Sequence, residues 1–238
     1  LSDAKTVTVS ATNVNDTNLE TSAPDFPILA STKYAFAAVK NDGTVYSWGG
    51  NIGGADSSSV SDQLTNVVNI VSNSHVFAAI KEDGSVVTWG SENHGADTSQ
   101  ISSLLQNIIK IVPIAGNDGD GFLALREDGL AIKWGDGWHD TIEGAVEIYG
   151  SRYYSAYNRD YQGSHYIIKA NNELHVSNSN ADFDEAKVWK FDEPIDRIIY
   201  ADQYGLAVTN TGNVYSTSSY LKINGEHVDN QSWNAEDQ

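Results

Sequence analysis

The chain has 238 residues, and its 14 Lys and Arg against 32 Asp and Glu give a formal net charge of −18. This charge disfavours nucleic acid and anionic lipid as partners, because binding to either depends on neutralising phosphate groups. Cysteine is absent, which excludes disulfide bonds and thiol chemistry. No apolar run approaches the ~18 residues of a membrane-spanning helix, and no signal peptide is visible. Methionine is absent even at position 1, so we expect a segment of a longer protein.

The first 27 residues belong to no repeat. Residues Lys5 to Val14 alternate apolar and polar side chains, which predicts a β-strand. At its end, Asn15 and Asp16 offer oxygen atoms of the kind that Ca²⁺ prefers, with an Asn-rich turn without a metal as the alternative. Two prolines then mark a linker. We assign residues 1–27 to a terminal strand and linker, 28–228 to a repeat domain and 229–238 to a polar tail.

One hairpin sequence recurs throughout the repeat domain. Its clearest copy, from Phe77 to Gly90, reads Phe-Ala-Ala-Ile-Lys-Glu-Asp-Gly-Ser-Val-Val-Thr-Trp-Gly. Two β-favouring runs joined by Asp-Gly are a strong hairpin signal. The full copies end at Trp48, Trp89 and Trp134, and two weaker copies have Ser177 and Thr217 at the tryptophan position. The period of about 40 residues is typical of a propeller blade or a β-solenoid coil.

The repeats predict an all-β fold. A hairpin cannot bury its apolar face alone, so the five copies must pack together as one domain. We predict a β-propeller of about five short blades, with an open β-solenoid as the alternative. Each repeat contributes three strands, which in the second repeat are Val67 to Val71, Phe77 to Lys81 and Ser85 to Trp89.

Five aspartates at equivalent places predict local structure. Asp42, Asp83 and Asp128 lie in Asp-Gly turns, where the side chain hydrogen-bonds to the backbone. Asp56 and Asp97 precede short segments with helical spacing, which indicates N-caps of one or two turns. We assign all five a structural role, with ligand binding by Asp56 and Asp97 as the alternative.

The third and fourth repeats carry insertions between their first strand and their hairpin. Equivalent connections of a repeat array emerge on one side, so the two insertions should form one raised patch. The fourth insertion is rich in tyrosine and arginine, a composition typical of binding loops, with packing at the end of the array as the alternative. Its candidate ligand-binding residues are Arg152, Tyr153, Tyr154, Tyr157, Arg159 and Tyr161.

The third repeat supplies two further candidates. Its insertion places Asn117, Asp118 and Asp120 in a glycine-rich turn that either binds Ca²⁺ or is a solvated loop. After Trp134 the repeat departs from its siblings. There Trp138 and His139 either contact a sugar or peptide or belong to an irregular connection between blades.

The pattern Phe-Ala-Ala-[Val/Ile]-Lys-x-Asp-Gly-x-Val-x-x-Trp-Gly resembles the repeat of the regulator-of-chromosome-condensation family, which implies a β-propeller. The segment Lys81 to Gly90 looks most like copies in very large bacterial adhesins of the repeats-in-toxin type, where cadherin-like extender domains accompany them. The resemblance covers about residues 28–218. It departs from the eukaryotic family at Ile52 to Asp56, which replaces the usual Gly-Gln-Leu-Gly, so a nucleotide-exchange or chromatin role does not carry over.

The resemblance implies an extracellular, ligand-binding module on a bacterial cell surface. It would mediate adhesion and biofilm formation by binding a peptide or glycan on a host or neighbouring cell, as a monomeric unit of a larger chain with Ca²⁺ as its ion. A structural spacer is the alternative, and a polysaccharide hydrolase with paired carboxylates is a third. No zinc-protease, nucleophile-elbow or phosphate-loop motif occurs, so we expect no enzyme. The net charge and the lack of a long apolar run lead us to expect no nucleic-acid partner and no direct membrane insertion.

Overall fold

The computed structural model describes residues 27–114, 120–135, 138–150, 153–155, 160–162, 164–178, 183, 186–201, 204–217, 222–223 and 226–227. Within these ranges the chain forms five small antiparallel sheets, one for each repeat, and two separate hairpins. None of the helical turns in the described part is long or apolar enough to cross a bilayer. The predicted all-β, propeller-like class is confirmed.

We call each sheet with its connections a module. The first module contains β1 (Ile28–Ser31), β2 (Ala35–Val39) and β3 (Val45–Gly49). The second contains β4 (Val67–Ser72), β5 (Val76–Lys81) and β6 (Val86–Gly90). The third contains β7 (Ile108–Ile114), β8 (Gly121–Arg126), β9 (Ala131–Trp134) and β10 (His139–Ile142). Short 3-10 helical turns follow the third strands of the first two modules, at Asn51–Gly53, Ser58–Gln63 and Glu92–His94. The Asp-Gly hairpins form as predicted, and Phe77 pairs directly with Trp89.

The two weak repeats also form complete sheets. The sheet of the fourth module contains β11 (Ala145–Gly150), β14 (Ser164–Lys169), β15 (Glu173–Asn178) and β16 (Lys187–Lys190). A hairpin of β12 (Tyr153–Ser155) and β13 (Asp160–Gln162) is inserted between β11 and β14. The fifth module contains β17 (Ile195–Ala201), β18 (Tyr204–Thr209) and β19 (Val214–Ser216). A last hairpin pairs β20 (Lys222–Ile223) with β21 (Glu226–His227). Loss of the terminal tryptophan therefore does not abolish the module.

Successive modules are joined by one recurring backbone hydrogen bond. The first strand of a module donates an N–H to the carbonyl of the turn glycine in the preceding module. The pairs are Val67 to Gly43 at 2.9 Å, Ile108 to Gly84 at 2.8 Å and Ala145 to Gly129 at 2.9 Å. The same step repeated three times sets four modules side by side, with β1, β4, β7 and β11 as neighbours.

The core lies between adjacent modules, and Trp89 and Trp134 are central to it from the first to the third module. Trp89 stacks on Phe77 with ring centroids 5.1 Å apart, and its Nε1 donates to the carbonyl oxygen of Gly54 in the preceding module at 3.0 Å. Trp134 repeats this contact with Gly95 at 3.1 Å. Each indole N–H therefore joins its own module to the loop of the preceding module by a hydrogen bond.

The first and fourth modules differ from the second and third at this position. In the first module, Phe36 and Trp48 stack in the same way but are 51% and 38% exposed, because no preceding module covers them among the described residues. In the fourth module, the Phe–Trp pair is replaced by His165 opposite Ser177. Phe183 packs edge-on against His165 at 5.7 Å and fills part of the space that the indole would take.

Candidate functional site

The candidate site lies at the end of the modules opposite the Asp-Gly turns. In an antiparallel module, the connection from the first to the second strand and the chain that leaves the third strand emerge at the same end. We call this end the upper face. His75 lies in the connection from β4 to β5, and His94 lies in the chain that leaves β6. Their ring centroids are 4.1 Å apart on this face. Both sequence insertions begin on this face.

The turn aspartates have the structural roles that the sequence predicts, whereas the N-cap assignment of Asp56 and Asp97 is wrong. The N-cap of the 3-10 turn Ser58–Gln63 is Ser57, with no side-chain capping hydrogen bond, and the residues directly after Asp97 form turns without a helix. Asp42, Asp83 and Asp128 accept backbone N–H groups from Thr44, Ser85 and Leu130 at 2.9, 2.9 and 3.3 Å, and Asp56 and Asp97 accept from Ser58 and Ser99 at 2.9 Å each. Hydrogen bonds from the Ser99 backbone and side chain hold the pKa of Asp97 below its usual value. Asp97 is therefore a fixed negative charge.

Asp120 connects the third-module insertion to the second module. Its carboxylate is 7% exposed, and Oδ2 accepts the backbone N–H of Ser74 at 3.0 Å and lies 3.8 Å from Nδ1 of His75. Within the described part of the chain, no three histidine, aspartate or glutamate side chains converge as a metal site. The calcium assignment of Asp120 therefore depends on its neighbours in the insertion and stays a prediction.

Several predicted site residues cannot be placed. Those that lie outside the described residues are Asn15, Asp16, Asn117, Asp118, Arg152, Tyr157 and Arg159. The predicted strand from Lys5 to Val14 also lies outside them.

The fourth insertion contains an antiparallel hairpin. Tyr153 and Tyr154 lie in β12 and Tyr161 in β13, where Tyr154 and Tyr161 are direct cross-strand partners. The hairpin starts beside the other insertion, because Gly150 at the end of β11 packs tightly on Pro113 in β7. A Cβ atom at Gly150 would lie 2.3 Å from the Pro113 carbonyl oxygen. The roots of the two insertions are thus in direct contact.

A pocket of about 200 Å³ opens on the upper face between the second and third modules. The third module lines it with aromatic rings, namely Trp134, Trp138 and His139, and the second module lines it with polar side chains, namely Glu92, Asn93, Asp97 and Gln100. The sequence identified Trp138 and His139 but not the role of Glu92, Asn93 and Gln100. The sequence contained an indication of their role, because these residues follow Trp89 in the second repeat just as Trp138 follows Trp134 in the third.

The segment after Trp138 is more regular than an irregular connection between blades. His139 begins β10, which pairs with β9 as a fourth strand, with His139 opposite Trp134. The strand alternates exposed and half-buried residues, and His139 is exposed. Asp140 secures the fourth module by accepting the backbone N–H of Phe183 at 2.6 Å. The strand thus fixes the direction of His139 at the edge of the pocket.

The ring of Trp138 packs against a glycine and lies next to a buried lysine. Its ring lies so close to Gly135 that a Cβ atom there would be 2.3 Å from Cζ2 of the indole. The ammonium of Lys133, a residue that is 1% exposed, lies 5.2 Å from the ring centroid of Trp138 and 5.2 Å from that of Phe183. Trp138 is therefore positioned by packing in the third module rather than free to reorient.

His165 lies in the interior beside this lysine. Complete burial, and secondarily the charge of Lys133, lower its pKa from 6.5 to about 3. Neither ring nitrogen has a hydrogen-bond partner. A neutral, buried imidazole at the position of Phe77 and Phe122 is a packing residue, and we assign it no part in the site.

Comparisons with known proteins identify the architecture. The sequence matches no protein-family model and no curated protein. Its structure is similar to that of Prp20p from Saccharomyces cerevisiae, a protein described with its binding to Gsp1p and histones, with a TM-score of 0.51, 16% identity and coverage of 84% of this chain and 62% of that one. It is also similar to human WBSCR16, with a TM-score of 0.52, 9% identity and coverage of 84% and 66%.

The chain spans less than two thirds of the length of either protein. Identities this low bear on the fold alone. Both neighbours are β-propellers of the regulator-of-chromosome-condensation type, and the chain described here has that fold.

Proposed function

We propose that this chain is a ligand-binding module of an extracellular bacterial adhesin, which attaches to a peptide or carbohydrate on another cell through its upper face. The binding is non-catalytic. The modules serve as a rigid support, and recognition belongs to the connections that they carry.

The observation that carries the proposal is the gathering of all irregular features at one end. The insertions of the third and fourth modules start in contact at Pro113 and Gly150. The pocket with Trp138 and His139 opens at the same end, between the second and third modules. Among the described residues, the hairpins at the opposite end are closed by tight turns, with Asp-Gly in the first three modules. The pocket and both insertions therefore lie on one side of the modules.

The adhesin setting is supported by composition and by the sequence resemblance. A chain without cysteine is insensitive to the oxidising conditions outside the cell. A net charge of −18 favours solubility and disfavours phosphate-rich partners. The repeat from Lys81 to Gly90 resembles the copies found in large surface adhesins, whose role is attachment.

A combined glycan and peptide array tests the proposal. The wild-type chain should bind a small set of related ligands, and replacing Tyr153, Tyr157 and Arg159 by Ala should abolish or sharply weaken that binding with little change in melting temperature. A matched control replaces Tyr46 and Lys40 by Ala, since both are exposed and belong to the first module away from the insertions. An array that stays blank with and without Ca²⁺ would instead favour the structural spacer.

A further inference from the structure

We infer that the pocket between the second and third modules binds one sugar residue that carries no acidic group. The inference rests on the proposed recognition function and deepens it by naming the ligand class of one part of the upper face. It is carried by the two contrasting walls of the pocket and by the carboxylates of one of them.

The size of the pocket limits its ligand to a single ring. At about 200 Å³ it is smaller than pockets that enclose a drug-sized molecule, which measure roughly 300–1,000 Å³. It fits one unit of a longer chain, with the remainder of the ligand lying across the upper face.

The aromatic wall suits the apolar side of a sugar ring. Trp138 lines the pocket from the third module and is half-buried, and His139 stands exposed at the start of β10 beside it. Trp134 also borders the pocket but is 1% exposed, so the accessible indole is that of Trp138. Indole rings combine a broad apolar surface with an electron-rich face, onto which weakly positive C–H groups pack favourably.

The opposite wall suits hydroxyl groups. Asn93 and Gln100 carry amides that both donate and accept hydrogen bonds. Glu92 and Asp97 contribute carboxylates, which accept from hydroxyl donors. A ring with one apolar face and several hydroxyls around its edge satisfies both walls together.

The charges around the pocket exclude an acidic ligand. The carboxylates of Glu92 and Asp97 repel acidic sugars and phosphate groups, and the net charge of −18 adds to this repulsion. The ammonium of Lys133 lies 5.2 Å from the Trp138 ring centroid but is buried behind it, so it offsets only part of the charge of the two carboxylates.

Gly135 is a positioning residue for this site. Its backbone is not in the left-handed region, so alanine is conformationally acceptable there. The added methyl group would nevertheless collide with the Trp138 ring, because a Cβ atom at Gly135 lies 2.3 Å from Cζ2. Gly135→Ala therefore displaces the indole without removing it.

The experiment follows the indole N–H signals of the ¹⁵N-labelled chain by NMR. The probes are the methyl glycosides of glucose, galactose, mannose and N-acetylglucosamine, compared with the acidic sugars glucuronic acid and N-acetylneuraminic acid at equal concentration. Trp138→Phe assigns the Trp138 signal. At least one of the methyl glycosides should shift this signal saturably, and the acidic sugars should not.

Two variants and one control separate the pocket from the fold. Trp138→Ala and Gly135→Ala should each weaken binding about tenfold or more, which corresponds to about 1.4 kcal/mol. Trp48→Ala should leave affinity unchanged, because Trp48 lies in the first module and not in the pocket. Unfolding midpoints in urea verify that each variant is folded, and Trp138→Phe replaces Trp138→Ala if the latter is not.

Three results would overturn the inference. One is an acidic sugar that binds as well as the methyl glycosides, and another is sugar binding that survives in both pocket variants. The third is a Trp138 signal unmoved by every sugar while a peptide from the array binds, which would leave the recognition function standing without this ligand class. A chain that binds nothing on the array would contradict the recognition function itself.

Discussion

Trp89 and Trp48 occupy the same place in their modules but have different surroundings. Trp89 is 3% exposed and donates its indole N–H to Gly54, whereas Trp48 is 38% exposed. Replacing Trp89 by Phe leaves the buried Gly54 carbonyl without its donor, which costs about 1–3 kcal/mol. Trp48→Phe should change the unfolding free energy by less than about 0.5 kcal/mol. Urea denaturation with an unchanged slope measures both, and equal losses would contradict the interlocking role of the buried indole.

The buried imidazole of His165 should make stability depend on pH. In the unfolded chain its pKa is near 6.5, but in the folded chain it is about 3. Between these values the unfolded state binds more protons, so stability is fully present above pH 6.5 and falls as the pH falls towards 3.

The pH effect can be isolated by substitution. His165→Phe introduces the residue that stands at the equivalent positions 77 and 122 and removes the titrating group. Between pH 6 and 4 the wild-type chain should lose about 1.4 kcal/mol per pH unit more than this variant. Because other groups titrate in both proteins, only the difference is informative. Parallel profiles from urea denaturation would show that His165 is not kept neutral by burial.

At the scale of the element, the turn glycines join modules as well as reverse the chain. Gly84 has φ of +74°, and a Cβ atom there would lie 2.7 Å from Cα of Asn107 at the start of the third module. Gly212, in the fifth module, has φ of +90° with nothing within 4 Å. Gly84→Ala and Gly212→Ala therefore share the left-handed strain of about 1–2 kcal/mol, but only the former also collides with a neighbouring backbone.

The two alanine variants should consequently differ in unfolding free energy. We expect Gly84→Ala to be less stable than Gly212→Ala by about 1–3 kcal/mol, the usual cost of overpacking a close contact. Thermal or urea denaturation of the pair measures this difference. Equal losses would mean that the approach of Gly84 to Asn107 relaxes at no cost.

The sequence predicted the hairpins because their signals are local. The alternation of β5 and β6 and the Asp83-Gly84 turn lie within one short stretch, and the same pattern located the weaker modules around Asn172 and Gly212. The sequence did not predict strand β10. In the first two modules a polar loop follows the third strand, but the third module lacks this loop, so the edge of β9 can pair with β10.

The pocket was predicted only in half for a similar reason. Trp138 and His139 are recognisable because the other repeats lack these aromatic residues, but the polar wall of the pocket comes from the second module. Which polar residues face Trp138 depends on how the modules stack, and the spacing within one repeat contains no information on that distance. The contact of Pro113 with Gly150 was predicted at the coarser level, as insertions on a common side.

At the scale of the whole molecule, the net charge of −18 opposes compaction, and cations relieve this repulsion in two distinguishable ways. Screening depends on ionic strength and not on the identity of the ion. Specific binding at the predicted calcium residues, among them Asp16 and Asp118, would depend on Ca²⁺ itself. With a Kd of about 0.1–1 mM, as in extracellular modules, 10 mM Ca²⁺ should stabilise the chain by about 1.4–2.7 kcal/mol.

Calorimetry in matched salts decides between screening and binding. The melting temperature should rise by about 3–10 °C in CaCl₂ beyond its value in MgCl₂ or NaCl of equal ionic strength. Asp16→Asn combined with Asp118→Asn should remove this calcium-specific rise, whereas Asp42→Asn, in a turn where the side chain serves Thr44, should keep it. If all three salts give the same rise, the ion acts only by screening. The upper face would then depend on packing between modules alone, through contacts such as that of Asp120 with Ser74.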